Sequence, residues 1–147
     1  MNEEFVTKAI LKALADAGWE IVSFDFPQSG TGRTLHPDDI ISKNEGAIVP
    51  DVVAVKDGVC LYLENKDHYS YSDFVKVRDV IQGKRYEKAF RHMLEGVDVK
   101  RMVCGIGMPV SSFVGEAVAN SSMVGVVLCV SACGEVSVAS PSGEFKL

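Results

Sequence analysis

The stretch PDVVAVKDGVCLYLENK, residues 50–66, decides how this chain is read. Two apolar runs, Ile48 to Val55 and Val59 to Lys66, are joined by Lys56-Asp57-Gly58, and Asp-Gly between β-branched runs signals a tight hairpin turn. The hairpin carries Asp51 early in its first strand and Glu64 late in its second. Those two ends lie side by side in an antiparallel pair, so carboxylates distant in sequence converge. Side chains alternate along a strand, which puts Glu64 and Lys66 on one face and Asn65 on the other.

Two carboxylates on one face make a hard oxygen site suited to Mg²⁺ or Mn²⁺. Lys66 adds a compact positive charge beside them. An ammonium so placed orients an attacking hydroxide or offsets charge developing on a phosphodiester, while the cation polarises the phosphate and activates water. The alternative is an ordinary surface ion pair between Glu64 and Lys66. Against it, residues 64–68 form a consecutive polar run that ends the apolar VCLYL, and strand ends of this kind are where sites form.

Working outward, Glu3 to Ala17 spaces Val6, Ala9, Ile10, Ala13, Leu14 and Ala17 as an amphipathic helix that Gly18 ends. Trp19 to Phe26 reads as a strand. Pro27 to Gly46 is a long polar loop, of a kind more often functional than decorative. Tyr71 to Leu94 reads as one long helix with Gly83 as its weak point. Arg101 to Gly107 is a buried-type strand and Ser111 to Asn120 a short helix. Val124 to Val130 is an apolar strand, paired with Glu135 to Ala139 across Gly134. Hairpins early and crossovers later predict an α/β fold: a mixed central β-sheet flanked by helices, in a single domain over 1–147.

Composition agrees with that architecture. Of 147 residues, 47% are hydrophobic and 24% charged, which excludes a disordered chain. No apolar run approaches the roughly 18 to 20 residues of a membrane span. The opening MNEEFVTK lacks the basic segment of a secretory signal, so the cytoplasm is the expected compartment. Cys60, Cys104, Cys129 and Cys133 contain no CxxC pair and read as buried thiols, not zinc ligands or a disulfide framework. His36, His68 and His92 lack ligand spacing. A formal net charge of -5 argues against coating nucleic acid through bulk charge. The charge is uneven, however: residues 1–75 are strongly acidic, while 76–101 carry eight basic side chains against four acidic. Such a distribution suits a metal site beside an anion-binding surface, or a solvated basic helix.

The Pro50-Asp51 and Glu64-Asn65-Lys66 pattern lies in the order helix, three strands, helix, strand, and so resembles the PD-(D/E)XK nuclease superfamily over residues 1 to about 107. The resemblance implies a restriction-endonuclease-like αβββαβ core. It implies that Asp51 and Glu64 bind metal together with the backbone carbonyl of Asn65, and that Lys66 is the catalytic lysine. Two subfamilies are matched in part. Glu3 on the first helix, Gly18-Trp19 and Ser29-Gly30 resemble archaeal Holliday-junction resolvases, which implies that Glu3 joins the metal site. Glu3 shares the helix face of Val6 and Ile10; its other reading is an acid complementing the helix dipole. The long insertion between Ser29 and Asp51 departs from that pattern.

Gln82-Gly-Lys-Arg-Tyr86 is similar to the Q-x-x-x-Y of RecB-type nucleases, which implies that Gln82 and Tyr86 share a helix face and reach substrate or orient the metal site. Lys84, Arg85 and Lys88 in the same turn are candidate phosphate contacts, as is Arg33 on the loop. The expected activity is that of a Mg²⁺-dependent endodeoxyribonuclease of restriction, junction-resolving or repair type. DNA is its expected partner, along with a second copy in a homodimer. Val124 to Val130 is either an edge strand at that interface or core. The alternative is a catalytically inactive nuclease-fold DNA-binding or assembly subunit of a phage or mobile-element machine.

Overall fold

The computed structural model describes residues 1–39 and 46–147. Its elements run α1 (Glu3–Asp16), β1 (Glu20–Phe24), β2 (Val52–Lys56), β3 (Val59–Asn65), α2 (Tyr71–Gln82), α3 (Glu87–Met93), β4 (Arg101–Pro109), α4 (Glu116–Ala119), β5 (Val126–Val130) and β6 (Val136–Ala139). The six strands form one sheet in sequential order, β1 to β6. β3–β4 and β4–β5 are parallel and the other three pairs antiparallel, so the sheet is mixed, as expected.

The hairpin forms as its turn residues dictate. Asp57 and Gly58 both take positive φ, 50° and 79°, which a two-residue primed turn requires, and Lys56 pairs with Val59 across it. β2 and β3 are buried almost continuously rather than in alternation, because helices cover both faces of the sheet. On one face Val6, Ile10 and Leu14 of α1 pack against Val52, Ala54, Leu61, Leu63 and Leu128. On the other, Phe74, Val77 and Val80 of α2 with Phe90 and Met93 of α3 cover Val53, Cys60, Tyr62 and Ile106. Both ends of α1 are satisfied. The Asn2 side chain accepts the Phe5 N–H at 2.8 Å, and Lys56 Nζ donates to the Ala17 carbonyl at 2.5 Å, setting a cation at the negative end of the helix.

Four expectations are corrected. The helix expected over Tyr71 to Leu94 is two helices. Lys84 adopts φ 54°, and the second helix restarts because Asp38 from the preceding loop accepts the Lys88 N–H at 3.1 Å, while the Asp38 N–H donates to the Arg85 carbonyl at 2.6 Å. A cap supplied from elsewhere in the chain leaves no periodicity signal. The strand expected from Ile48 begins at Val52, since Ile48 is engaged in a bridge with Leu35. Ser111 to Asn120 is not one helix but a 3-10 turn, Val110–Ser112, followed by the single turn of α4. Cys60, Cys104 and Cys129 are buried, but Cys133 is exposed in the β5–β6 turn. The open question over Val124 to Val130 is settled as well: β5 lies between β4 and β6, fully buried, so it is core and not a sheet edge. Among the described residues no helix is long and apolar enough to cross a membrane.

Gly107 of β4 allows the close approach on which the site end of the sheet depends. A Cβ there would fall inside van der Waals distance of Asn65 Oδ1 and Ile10 Cδ1. Gly107→Ala should therefore overpack the α1–β3–β4 junction and destabilise the protein by about 1–3 kcal/mol, read as a lowered urea midpoint at unchanged slope. An unshifted midpoint would mean that Ile10 and Asn65 yield without penalty.

Candidate active site

Continuing the β2–β3 register one residue past the Val52–Leu63 pair places Asp51 directly opposite Glu64. The Asn65 N–H donates to Asp51 Oδ2 at 2.7 Å, toward the β2 side, while the Lys66 N–H donates to the Gly107 carbonyl at 2.8 Å, toward β4. This alternation makes Asp51 and Glu64 a non-hydrogen-bonded cross-strand pair, the kind in which side chains approach most closely. Tyr62, two residues before Glu64 on the same face, donates its hydroxyl to Glu64 Oε1 at 2.6 Å. Asn65 faces the other way, as alternation demands: its Nδ2 donates to Thr7 Oγ1 of α1 at 3.0 Å.

Glu64 of this pair borders a cavity of about 410 Å³. β3 forms its floor with Tyr62, Glu64 and Lys66; Asp73, Lys76 and Val77 of α2 line one side and Ile48 and Val49 the other. Burial raises the pKa of both carboxyls. Glu64 is pushed up to about 8 by desolvation and by the charge of Asp51. Asp51 is also raised by desolvation, against the Asn65 N–H bond that favours its charged form. Burial disfavours the Lys66 ammonium, but Asp73, Glu3, Glu64 and Asp51 outweigh it and hold its pKa above the ordinary lysine range. Lys66 is therefore a cation at neutral pH.

Residues singled out from the sequence separate into those the fold gathers and those it does not. Asp51, Glu64, Lys66 and Glu3 come together: Lys66 Nζ lies 4.0 Å from Glu3 Oε1, whereas Glu4 turns to Lys8. The Asn65 carbonyl shares the β2 side of β3 with its N–H, facing Asp51. Gln82 and Tyr86 do not share a helix face, because the helix ends at Gln82 and restarts after Tyr86. Gln82 is exposed and away from the cavity, whereas Tyr86 is buried at its end with its hydroxyl donating to the Gly46 carbonyl at 2.5 Å.

The expected basic face is split. Arg85 borders the same cavity, with its guanidinium 3.5 Å from Asp39. Lys84 lies on a separate groove with Arg91, and Lys88 shares a third with Arg33. Ser29 bonds Asp25 at 2.9 Å within its own loop.

Two contributors were missed. Asp73, in the first turn of α2, lies 4.0 Å from Lys66. The signal was present: Ser70-x-x-Asp73 marks a helix start close behind the lysine. Tyr62 reads as core in the sequence, and only its place two residues before Glu64 hints at more.

Among the described residues no three His, Cys, Asp or Glu side chains gather as a metal-ligand set. The donors available are the two carboxylates and the Asn65 carbonyl. That set fits Mg²⁺, which keeps several waters and takes one or two carboxylates plus substrate phosphate oxygens. The half-buried like-charged pair also favours a cation, since Lys66 and the hydrogen bonds from Asn65 and Tyr62 offset its repulsion and desolvation only in part and both carboxyl pKa values stay raised.

Neither a protein-family model nor a curated protein matches this sequence. The fold is similar to a solved structure of an FdxN element excision controlling factor protein from Anabaena variabilis. The TM-score is 0.50 and the identity 14%, over 91% of this chain and 96% of that one. At this identity the likeness is one of fold, an α/β arrangement.

The raised carboxyl pKa values set a sign for pH dependence. Between the ordinary value of 4.5 and about 8 the unfolded chain releases the Glu64 proton while the folded one keeps it. The folded state then binds more protons, so stability falls as pH rises through that window. Thermal melts should show this fall in the wild type and a flatter profile in Glu64→Gln. Mg²⁺ should raise the wild-type Tm more near pH 8 than near pH 5. Parallel profiles for wild type and variant would remove the acid pair as the source.

Proposed function

We propose that this chain is a metal-dependent DNA endonuclease that hydrolyses phosphodiester bonds. The observation that carries the reading is the Asp51–Glu64 cross-strand pair, with Lys66 on the same face at the border of one cavity. The order α1, three strands, helix, β4 supports it, since it is the order expected of the PD-(D/E)XK superfamily apart from the divided second helix. The name of the similar solved structure, an excision controlling factor, adds a coarse pointer toward a DNA-related role.

On this reading Asp51, Glu64 and the Asn65 carbonyl hold Mg²⁺ or Mn²⁺, whose chemistry is to polarise the scissile phosphate and acidify water. Tyr62 fixes the Glu64 carboxylate by its hydrogen bond, so that one oxygen is oriented before any cation arrives. A lysine with a raised pKa cannot serve as a general base at neutral pH; Lys66 orients the attacking oxygen and offsets charge on the phosphate. Glu3 and Asp73 hold it from either side. In the step itself a bond forms from the water oxygen to phosphorus and the bond from phosphorus to a sugar oxygen breaks. The water's proton ends on that departing oxygen. Cutting both strands of a duplex requires two such sites, hence a homodimer.

The second reading is a DNA-binding or assembly subunit without turnover. It is favoured by the engagement of Lys66 with Glu3 and Asp73, which occupies the ammonium with carboxylates in place of substrate. Nicking of supercoiled plasmid with Mg²⁺, with and without EDTA, separates the two.

Under the nuclease reading Asp51→Asn and Glu64→Gln should lower the rate at least about a hundredfold while the fold is retained, and Lys66→Ala should cost a similar factor. Lys66→Arg keeps the charge but replaces a compact ammonium with a planar fork, and should also lose most turnover. Wild-type rates in either acid variant would remove the metal assignment. Absence of nicking by the wild type in both Mg²⁺ and Mn²⁺ would leave the second reading.

A further inference from the structure

The two edges of the sheet are finished differently. β1 is interrupted by a bulge between Ile21 and Ser23, and the carbonyl that Phe24 turns outward takes the Thr31 hydroxyl at 2.9 Å. Bulges and covered edge groups are how sheets avoid pairing with further strands. β6, at the other edge, has no bulge, proline or charged residue in Val136-Ser137-Val138-Ala139. The Ser131 N–H donates to the Glu135 carbonyl at 2.9 Å and closes the β5–β6 turn. Counting on in register, Ser137 bonds toward β5, opposite Cys129, while Val136 and Val138 turn their N–H and C=O groups outward. Among the described residues nothing bonds those four groups.

The chain around β6 is poor in charge. Residues 102–134 contain one charged side chain, Glu116, in a protein that is 24% charged. Exposed apolar side chains stand on the elements next to this edge. On the α1 side Met1 and Phe5 are exposed, and a Cβ at Gly134 would lie 3.8 Å from the Phe5 ring. On the α2 side α4 packs over β5 through Ala117, and Val114 and Val118 beside it are 64% and 48% exposed. Surface of this kind, apolar and without charge at its centre, marks contact with another protein.

Two features select a second copy of this chain. The outward groups are symmetric about Ser137. A two-fold axis there, normal to the sheet, sets Val136 of one copy opposite Val138 of the other, and the two such pairs bond all four groups on each copy. Charge points the same way. In a contact between identical surfaces like charges meet across the axis, so a chain of net charge -5 associates with itself best through a flank that carries almost none.

We infer that β6 is the interface of a homodimer, in which two copies pair their β6 strands antiparallel about Ser137 and join their sheets. Such an axis keeps the α1 helices on one side of the joined sheet and the α2 helices on the other, so both candidate sites share the α2 side. The interface supplies the second copy that cutting a duplex requires, yet it does not depend on the nuclease reading.

Sedimentation velocity of the full chain over a range of concentrations tests it, with the fold checked by circular dichroism. The wild type should move from one chain mass to two as concentration rises. Ser137 is exposed and faces its own copy across the axis, so Ser137→Lys and Ser137→Glu should each weaken the dimer at least about tenfold. An equal mixture of the two variants should recover it, since opposite charges then meet. The Cα atoms of a non-hydrogen-bonded antiparallel pair lie about 4.5 Å apart, within disulfide range. Ser137→Cys, with Cys133→Ser to remove the exposed thiol, should therefore give a 137–137 cross-link on mild oxidation, identified by peptide mass spectrometry.

A wild type that stays monomeric at the highest soluble concentration overturns the interface. So does a dimer that both charge variants leave intact, or one whose Ser137→Cys form does not cross-link. Failure of the mixture to recover what each variant lost overturns the two-fold pairing. Plasmid nicking is read separately, so each of these results leaves the nuclease reading where it stands.

Discussion

The Asp57-Gly58 turn holds the β2–β3 hairpin in one register, and the acid pair exists only in that register. Both turn residues sit at positive φ, a geometry that fixes a two-residue loop and pairs Lys56 with Val59. A slip of one residue would rotate Glu64 and Lys66 to the α1 face and bury Asn65 against α2. Continuous burial of both strands guards against this less well than alternation would, because both faces are apolar. The polar end of the hairpin supplies the missing specificity. Asn65 can satisfy Thr7 on one side and Asp51 through its N–H only when Glu64 faces Asp51.

Asn65 thereby couples the packing of α1 to the position of a carboxylate on the opposite face. Its side chain sits over Gly107, where any larger residue would displace it. Its Oδ1 is buried without a partner, an arrangement that costs stability and that a simple core amide would avoid. Tyr62 plays the matching part for Glu64: its ring belongs to the apolar core while its hydroxyl reaches out of it. Each acid is held by a group anchored in one of the two hydrophobic layers. Both are consequently positioned by the core itself, although they stand at its border.

Much of this was legible in residues 50–66 alone. A turn dipeptide, two β-branched runs and three charged residues at strand spacing give the hairpin, the shared face and the convergence of Asp51 with Glu64. The division of the second helix was not legible. Val80, Ile81, Ala89 and Phe90 keep a helical apolar pattern across the break, and the residue that restarts the helix, Asp38, is some fifty positions earlier. The scatter of Lys84, Arg85 and Lys88 over three surfaces follows from that break, since helical spacing no longer relates them. The interior position of β5 depends on how many strands flank it, which a single apolar run does not carry. Asp73 was within reach, through its helix-start spacing, and Tyr62 was not, because a tyrosine in VCLYL reads as core until its hydroxyl has a partner.

The charge around Lys66 constrains what the proposed site can do unaided. Asp51, Glu64, Glu3 and Asp73 surround a single ammonium, and even with one proton held by the buried pair the neighbourhood is net acidic. A phosphodiester approaching it meets repulsion at short range, where the low dielectric of the cavity makes charge count most. Lys76 and Arg85 lie on the border, and on the proposed reading they would draw in an anionic substrate without cancelling the acids on the floor. A divalent cation at Asp51 and Glu64 would displace the proton and reverse the sign where the phosphate must sit. On the proposed reading, then, the cation is required for seating the substrate as well as for the chemistry. The same excess of acid keeps Lys66 charged throughout, so the lysine waits as a fixed positive group rather than as a proton carrier.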